Sequence, residues 1–590
     1  MPPFNNPNFS FPETFNQDSD VPPGQIISEA AKNSPVDLSN LPNQLVVVED
    51  APSALDLSSV EWKAKAQGNK NIVVEFAASA GTFEALSTDK VQVIGNGSGA
   101  IQLIGKLPHI KNFLENTQAI LYTGAANDFG KRDLNINVIE DQVSSTVTST
   151  TILIEEAPDE QIGTPQDDVL TGDDGRDILI GLGSNDLLIG NAGDDTIQGD
   201  DGKDTIIGGA GADSLDGGAD EDVIQYLGSN AGVQIDLNLG ANGTQQASGG
   251  HAEGDTIVNF EHVYGSDFAD TITGDDGRNI LFGYDGDDII NGGGGDDVIR
   301  GGEGADTMDG GEGIDWLRYV ESVEGVTVDL SVSEQVSGGD ADGDVISGFE
   351  NVQGSDHGDI ITGDDAANYL IGFGGDDMIS GGAGRDSIRG GEGADTLDGG
   401  ADVDTLQYTD SADGIVIDLN ADASGFQSAS GGDAEGDVIS GFENVLGTNS
   451  NDIITGDAGR NILNGYAGDD ILNGGDAKDA LLGGAGADQF VFDTALAASN
   501  VDRILDFEAG IDMLMLAGEI FTGLVQGALS ASAFHVAAGG IADTADQRII
   551  YDTGNGNLYF DEDGNGTGEA MLFASLTSTP DLEATDIFIF

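Results

Sequence analysis

Residues 172–180 read GDDGRDILI, and residues 208–216 read GGAGADSLD. Both follow one nonamer, Gly-Gly-x-Gly-x-Asp-x-apolar-x, which recurs in register in four arrays. Two positions after the acidic residue the side chain is always apolar, a regularity that a structureless acidic linker has no reason to keep. The residues at the acidic position are Asp168, Asp177, Asp186, Asp195, Asp204, Asp213 and Asp222; Asp270, Asn279, Asp288, Asp297, Asp306 and Asp315; Asp359, Asn368, Asp377, Asp386, Asp395 and Asp404; and Asp452, Asn461, Asp470, Asp479 and Asp488.

Each nonamer is predicted to form a turn of six residues followed by a short strand. Glycine suits a turn in which the backbone takes a positive φ or packs closely. The apolar residue, such as Leu179 or Leu215, points inward. Successive units stack as parallel strands on alternating sides, so two nonamers make one coil of 18 residues and Asp177 stacks near Asp195. The pattern therefore predicts an all-β protein built on four parallel β-roll arrays.

The arrays should not fold by hydrophobic burial alone. One large side chain per unit contributes about 1.5–3 kcal/mol, whereas ordering nine residues costs roughly 9–18 kcal/mol of backbone entropy. Stacked carboxylates also repel. Calcium binds 6–8 oxygen ligands from carboxylates and carbonyls, so we expect Ca²⁺ between stacked turns, with all twenty-four residues above as ligands and about 16 ions in total. Mg²⁺ demands tighter geometry, and the absence of Cys and of clustered His argues against Zn²⁺.

A longer period separates the arrays, because similar spacers follow Tyr226, Tyr319 and Tyr408. Short β-branched runs before residue 160 suggest a sandwich, and strand-like runs after residue 491 suggest a closing domain. The expected organisation is a flexible leader (1–40), a β-sandwich (41–160), β-roll 1 (163–225), a spacer (226–264), β-roll 2 (265–318), a spacer (319–353), β-roll 3 (354–407), a spacer (408–446), β-roll 4 (447–491) and a C-terminal β-domain (492–590).

Composition excludes several functions. The formal net charge is −86, and only −12 of it lies in residues 1–160, so nucleic-acid phosphates are not expected partners. No apolar run is long enough for a membrane-spanning helix, which also disfavours a pore-forming toxin. Without Cys there are no disulfides. The first residues, MPPFNNPNFSFPETF, lack the basic and apolar regions of a standard secretory signal peptide.

The iterated nonamer resembles that of the RTX (repeats-in-toxin) family of calcium-binding proteins. This resemblance implies a parallel β-roll with Ca²⁺ between successive turns, and export by a type I secretion system that reads an uncleaved C-terminal signal. The segment from Arg548 to Phe590 is similar to C-terminal domains of secreted RTX proteins. The stretch GSGAIQLIGKLPHIKNFLENTQAILYTGAANDFGKRDLNINVIED (97–141) is similar to cadherin-like repeats, which imply an adhesion or spacer module. The Asn residues at 279, 368 and 461 depart from the pattern and predict weaker sites.

Other candidate chemistry is limited. The stretch from Asp561 to Gly566 opens like an EF-hand loop but lacks the acidic twelfth residue, which favours a β-turn. The spacer carboxylates either bind a further ion or cap the coil, and the spacer tyrosines are expected in the core. The carboxylates are Asp255, Asp344, Asp437, Glu261, Glu350 and Glu443.

The sequence contains no HExxH, GxSxG or phosphate-loop motif. The favoured function is a secreted, calcium-folded protein with a structural or adhesive role, no catalytic residues, and a cell-surface polymer or another protein as a further partner. The alternative is a secreted hydrolase or lyase whose site lies in the sandwich or on the roll.

Overall fold

The structure is a computed structural model of the whole chain. It describes residues 159–590 except 241–242, 333–335 and 422–424, and, before them, the strands and helix given below with some adjoining residues between 36 and 155. The chain divides into two compact units, Met1–Pro158 and Asp159–Phe590. Nearly all elements are strands, which confirms the all-β prediction. None of the helices in these described residues is long and apolar enough to cross a membrane.

Within its described residues, the first unit contains three sheets and one helix. The strands are Gln44–Val48, Val143–Glu155, Gly130–Glu140, Ile72–Ala78, Ala100–Gly105 and Val91–Ile94 in one sheet, Ser53–Ala54, Leu121–Thr123 and Thr82–Glu84 in the second, and Val36–Ser39 with Glu61–Ala64 in the third. The helix Leu107–Leu114 was not predicted; Pro108 lies in its first turn, where a missing N–H costs little, and its residues Ile110 and Leu114 are buried. Residues 1–35 of the predicted leader lie outside the described residues.

The second unit is a parallel β-roll along which one sheet of twenty strands extends. Its strands are Val169–Thr171, Leu187–Ala192, Thr205–Ala210, Val223–Gln225, His262–Tyr264, Ile280–Asp285, Val298–Glu303, Trp316–Arg318, Asn351–Gln353, Tyr369–Gly374, Ser387–Glu392, Thr405–Gln407, Asn444–Leu446, Ile462–Asn464, Ala480–Leu482, Asp502–Ile504, Phe534–Val536, Ile549–Asp552, Asn557–Phe560 and Met571–Leu576. Successive repeat strands pair in parallel 18 residues apart, for example Leu188 with Ile206.

The opposite side of the roll consists of three successive sheets and one two-stranded pair. The first sheet contains Asp159–Ile162, Asp177–Gly183, Thr196–Asp201, Ser214–Ala219 and Thr256–Val258. The second contains Gln246–Ser248, Gln234–Asp236, Thr271–Thr273, Ile289–Gly294, Thr307–Glu312 and Val345–Ser347. The third contains Thr327–Asp329, Ile360–Thr362, Met378–Ser380, Thr396–Asp398, Val438–Ser440, Gln427–Ser430, Val416–Asp418, Ile453–Thr455, Ile471–Asn473, Gln489–Phe492, Met513–Leu516, Ile587–Ile589 and Gly527–Ala528, and the pair is Ala383–Gly384 with Ala401–Asp402.

The spacers contribute strands to the roll. In the first spacer, His262–Tyr264 pairs with the last strand of array 1 and the first long strand of array 2, so the twenty-stranded sheet continues through it. On the other side, Thr256–Val258 pairs with array 1, while Gln234–Asp236 pairs with array 2. Each spacer also contains a short 3₁₀ helix; the 3₁₀ helices of this unit are Gly250–Ala252, Gly339–Ala341, Gly432–Ala434, Ala538–Gly540 and Ala584–Asp586.

The core of the roll is one continuous cluster from Leu179 to Ile589. It contains the inward apolar residue of every nonamer except Leu170, which is half-buried and packs against the cluster. The strands after residue 491 extend the same core, because Asp502–Ile504 pairs with Ala480–Leu482 and Met513–Leu516 pairs with Gln489–Phe492. The roll and the C-terminal strands therefore share one hydrophobic interior.

Candidate metal centres

The acidic position of the nonamer lies inside the molecule. Asp168 is half-buried, and the other twenty-three residues predicted as ligands are buried. Burying a carboxylate is costly unless hydrogen bonds or a cation compensate for the lost water. The partners of the two carboxylate oxygens therefore decide what each turn can bind.

One carboxylate oxygen links neighbouring coils. The backbone N–H of Asp177 donates to Oδ1 of Asp195 at 2.8 Å, and the N–H of Asp195 donates to Oδ1 of Asp213 at 2.9 Å. The same contact joins Asp297 to Asp315 at 2.7 Å. The predicted stacking of acidic residues 18 positions apart thus takes the form of a ladder of side chain to backbone hydrogen bonds.

The other oxygen of the Asp, or the single amide oxygen of an Asn, has a partner within its own turn in only eight units, which we call closed turns. In these units the backbone N–H of the second turn residue donates a hydrogen bond to the side chain of the Asp or Asn at the acidic position. For example, Ser355 N lies 2.7 Å from Asp359 Oδ2, and Asp364 N lies 2.8 Å from Asn368 Oδ1. Closed turns are the first two of each array. Their acidic-position residues are Asp168, Asp177, Asp270, Asn279, Asp359, Asn368, Asp452 and Asn461.

In the remaining sixteen units, the open turns, Oδ2 of the Asp is buried and has no hydrogen-bond partner within the described part of the chain. The second turn residue of every open turn has a positive φ, for example 76° at Asn191 and 98° at Gly293. The open-turn residues are Asp186, Asp195, Asp204, Asp213, Asp222, Asp288, Asp297, Asp306, Asp315, Asp377, Asp386, Asp395, Asp404, Asp470, Asp479 and Asp488.

The unpartnered oxygen faces a small space lined by a main-chain carbonyl. A Cβ built on Gly190, the first residue of the turn, would lie 2.3 Å from Oδ2 of Asp195 and 2.4 Å from the carbonyl oxygen of Gly208 in the next coil. Gly292 has the same relation to Asp297 and Gly310. A carboxylate and a carbonyl that converge in this way suit Ca²⁺, which prefers oxygen ligands of both kinds.

The electrostatics of the open turns also favour a cation. Burial raises the pKa of Asp195 to about 7 and the pKa of Asp288 and Asp377 to about 8. Neighbouring carboxylates add to the rise, while the hydrogen bond from the previous coil opposes it. A bound cation would favour the ionised carboxylates that burial otherwise disfavours.

The sequence prediction treated all twenty-four units alike, but the second turn residue carries a signal that separates them. It is Ser, Thr or Asp in the eight closed turns and mostly Gly in the open ones, with Asp200 as an exception among the open turns. Ser, Thr and Asp readily form local turns, whereas Gly accepts a positive φ. The residues Asn279, Asn368 and Asn461, predicted as weaker sites, all lie in closed turns.

The ladder continues beyond the nonamers through residues that the nonamer pattern does not include. Asp255 Oδ1 accepts the N–H of Asp213 at 2.9 Å, and Glu261 Oε2 accepts that of Asp222 at 2.9 Å. After array 4, Asp502 and Asp512 accept the N–H groups of Asp479 and Asp488. Their signal in the sequence is an acidic residue directly before a short apolar strand.

The remaining candidates lie apart from this ladder. The stretch from Asp561 to Gly566 connects two antiparallel strands, and Asp563 Oδ2 accepts the N–H of Thr567 at 2.9 Å. Within the described residues no helix flanks this stretch. No group of three or more His, Asp or Glu side chains converges in the described ranges, so the donors of an open turn are a carboxylate and main-chain oxygens.

Comparison with protein families agrees with this geometry. The family model of the RTX calcium-binding nonapeptide repeat matches residues 162–197, 189–224, 264–299, 285–317, 353–388, 371–406, 437–470, 446–481 and 456–490. No curated protein matches the chain significantly. These repeats bind several Ca²⁺ ions per array. The four arrays of this protein are RTX calcium-binding nonapeptide repeats.

Proposed function

We propose that this protein is secreted, folds when it meets extracellular Ca²⁺, and has a structural or adhesive role near the bacterial surface. The observation that carries the proposal is the set of sixteen buried carboxylate oxygens that have no hydrogen-bond partner in the described part of the chain. In this proposal the ions lie at the open turns, held by Asp Oδ2 and glycine carbonyls. Residues of the closed turns support the coil through hydrogen bonds and are not ligands.

Calcium binding then acts as a compartment switch. Where Ca²⁺ is scarce, the open turns carry buried negative charge that nothing compensates, and the repeats stay unfolded. Extracellular modules typically bind Ca²⁺ with Kd of about 10⁻⁴–10⁻³ M, so the sites fill only outside the cell. Since the sites do not exist in the unfolded chain, the free energy of binding becomes free energy of folding.

Export by a type I secretion system fits this switch. The strand Ile587–Ile589 lies between Met513–Leu516 and Gly527–Ala528, with Ile587 and Ile589 buried. A C-terminal signal that includes this strand is accessible only before folding. Deleting about the last 60 residues should retain the protein inside the cell, whereas Leu463→Ala, which disturbs the core alone, should leave export intact. Normal export of the truncated chain would contradict the proposed route.

Titration of the full chain tests the folding switch. Far-UV circular dichroism should show a disordered chain in chelator and β-structure in millimolar Ca²⁺, with a steep transition between them. Mg²⁺ at the same concentration should not replace Ca²⁺, because it demands near-ideal octahedral geometry. Identical spectra in chelator and in Ca²⁺ would refute the proposal.

A pair of Asp to Asn variants tests which turns hold ions. Asp297→Asn removes the charge of an open turn but keeps the Oδ1 that accepts Asn279 N, so we expect one ion fewer and a higher Ca²⁺ midpoint. Asp177→Asn is the matched control, because arrays 2 to 4 already have Asn at the equivalent closed turn. It should bind as many ions as the wild type. Equal loss in both variants would contradict the assignment to open turns.

A further inference from the structure

Three spacer carboxylates occupy the place in the ladder that a repeat Asp would occupy. Asp255, Asp344 and Asp437 accept the backbone N–H of the preceding open-turn Asp at 2.8–2.9 Å. The strands that follow them pair in register with the repeat strands, as Ile257 does with Leu215. By position, each spacer carboxylate therefore resembles an open-turn Asp.

The second oxygen of these carboxylates differs from that of an open turn, because a tyrosine hydroxyl binds it. Tyr226 Oη lies 3.0 Å from Asp255 Oδ2, Tyr319 Oη lies 2.9 Å from Asp344 Oδ2, and Tyr408 Oη lies 2.7 Å from Asp437 Oδ2. All three tyrosines are buried. Burial raises the pKa of Tyr408 well above its usual value, so the hydroxyl stays protonated and donates a hydrogen bond to the Asp437 carboxylate.

The turn before each spacer carboxylate also lacks the shape of an open turn. It forms a 3₁₀ helix, for example Gly432–Ala434, and the carbonyl of Ala434 accepts the N–H of Asp437 at 3.3 Å. The hydroxyl of Ser411 accepts the N–H of Asp433 at 3.0 Å. Main-chain groups of this turn therefore form hydrogen bonds within the spacer.

The open turns of Asp213, Asp306 and Asp395, which are stacked on these spacer turns, lack a carbonyl neighbour. A Cβ on Gly190 would lie 2.4 Å from the Gly208 carbonyl of the following coil. At Gly208, Gly301 and Gly390, which are followed by spacer turns, no carbonyl oxygen lies within 3.0 Å of the equivalent point. The converging carbonyl is therefore missing at these three turns, whereas at Gly217, Gly310 and Gly399, on the other side of the coil, a carbonyl of the spacer (Asn259, Gly348 or Gly441) takes its place.

We propose that the hydroxyls of Tyr226, Tyr319 and Tyr408 replace Ca²⁺ at the spacer carboxylates Asp255, Asp344 and Asp437, so that on this side of the roll each spacer contributes a metal-free rung between two calcium-binding arrays. The inference rests on the proposed binding of Ca²⁺ at the open turns. A neutral donor satisfies each spacer carboxylate, so these rungs are complete without an ion. The tyrosines act as positioning residues for the carboxylates.

Two triple variants of the full-length protein test the proposal. Native mass spectrometry in saturating Ca²⁺ counts the ions that each variant binds. Asp255→Asn, Asp344→Asn and Asp437→Asn together should lose no ion, because Asn Oδ1 still accepts the ladder N–H and its amide can donate to the tyrosine oxygen. The matched triple at complete open turns, Asp195→Asn, Asp288→Asn and Asp377→Asn, should lose three ions. Loss of three ions from the spacer triple would overturn the proposal.

A single variant tests the role of the hydroxyl even if the triple variants fail to fold. Tyr408→Phe removes only the hydroxyl and leaves Asp437 Oδ2 without a donor, so we expect a lower unfolding temperature in saturating Ca²⁺ than for the wild type. An unchanged unfolding temperature would contradict the role of the hydroxyl. If the wild-type protein itself binds no Ca²⁺, the proposed function fails; if it binds Ca²⁺ but the spacer triple loses ions, this inference alone fails.

Discussion

Gly292 and Gly294 belong to the same turn, but only Gly292 faces the open carboxylate. A Cβ at Gly292 would lie 2.4 Å from both Asp297 Oδ2 and the Gly310 carbonyl, whereas a Cβ at Gly294 has no neighbour closer than 3.7 Å. Neither glycine has a positive φ, so the two substitutions differ in space and not in backbone strain. Gly292→Ala should therefore remove one Ca²⁺ and raise the Ca²⁺ midpoint, and Gly294→Ala should do neither.

Calorimetric titration of both variants checks this prediction. The transition of Gly294→Ala should coincide with that of the wild type, while that of Gly292→Ala should shift to higher Ca²⁺ with a smaller stoichiometry. Equal behaviour of the two alanines would mean that the space in front of Asp297 is not a binding site.

At the level of residues, the sequence predicted the acidic position but not its two states. The period of nine placed Asp195 and Asp213 on one ladder because repeated geometry requires it. Whether a turn is open follows the φ of its second residue, where the consensus has Gly but the first two units of each array have Ser, Thr or Asp. The contact between Tyr408 and Asp437 joins residues 29 positions apart, and no short-range pattern encodes that distance.

At the level of elements, the nonamer predicted the repeat strands, since glycine turns and one inward apolar residue per unit define a strand locally. The spacers were expected to separate the arrays, yet His262–Tyr264 joins the twenty-stranded sheet. Such short strands depend on pairing with neighbouring coils rather than on their own propensity. The helix Leu107–Leu114 was missed because the strand-like runs on both sides dominated the pattern.

The long repeat predicts an in-register deletion. Asp315 and Asp404 are equivalent, so removing residues 316–404 joins Asp315 to Thr405 and attaches the third spacer to array 2 as it is attached to array 3. The shortened chain should still fold in Ca²⁺ and should bind four fewer ions, because four open turns are removed. Removing residues 316–400 instead adds four residues to a coil and should prevent folding.

Circular dichroism and native mass spectrometry of both deletions check this prediction. The in-register chain should show the β-spectrum of the full protein in Ca²⁺, and the off-register chain should aggregate or stay disordered. Equal folding of the two deletions would show that the coils do not depend on register, contrary to the pairing of Thr307–Glu312 with Val345–Ser347 and its equivalents.

For the whole molecule, the charge of the open turns predicts opposite effects of pH with and without metal. Burial raises the pKa of Asp195 to about 7 and of Asp377 to about 8 in the folded state, whereas the pKa of an Asp in an unfolded chain is about 3.9. The metal-free fold therefore gains stability from bound protons at low pH and loses it as the pH rises through the folded pKa values. In Ca²⁺ the ions require ionised carboxylates, so acid should weaken binding.

In chelator, lowering the pH from about 8 toward 5 should increase the β-structure of the chain, because protons neutralise the buried carboxylates between their unfolded and folded pKa values. Over the same range, the Ca²⁺ midpoint should rise as protons compete with the metal. Circular dichroism at several pH values, in chelator and at fixed low Ca²⁺, measures both trends. The protein concentration is kept low enough to avoid precipitation near the pI. A chelated chain that loses structure on acidification would show that repulsion among the open carboxylates is not what keeps the metal-free roll unfolded.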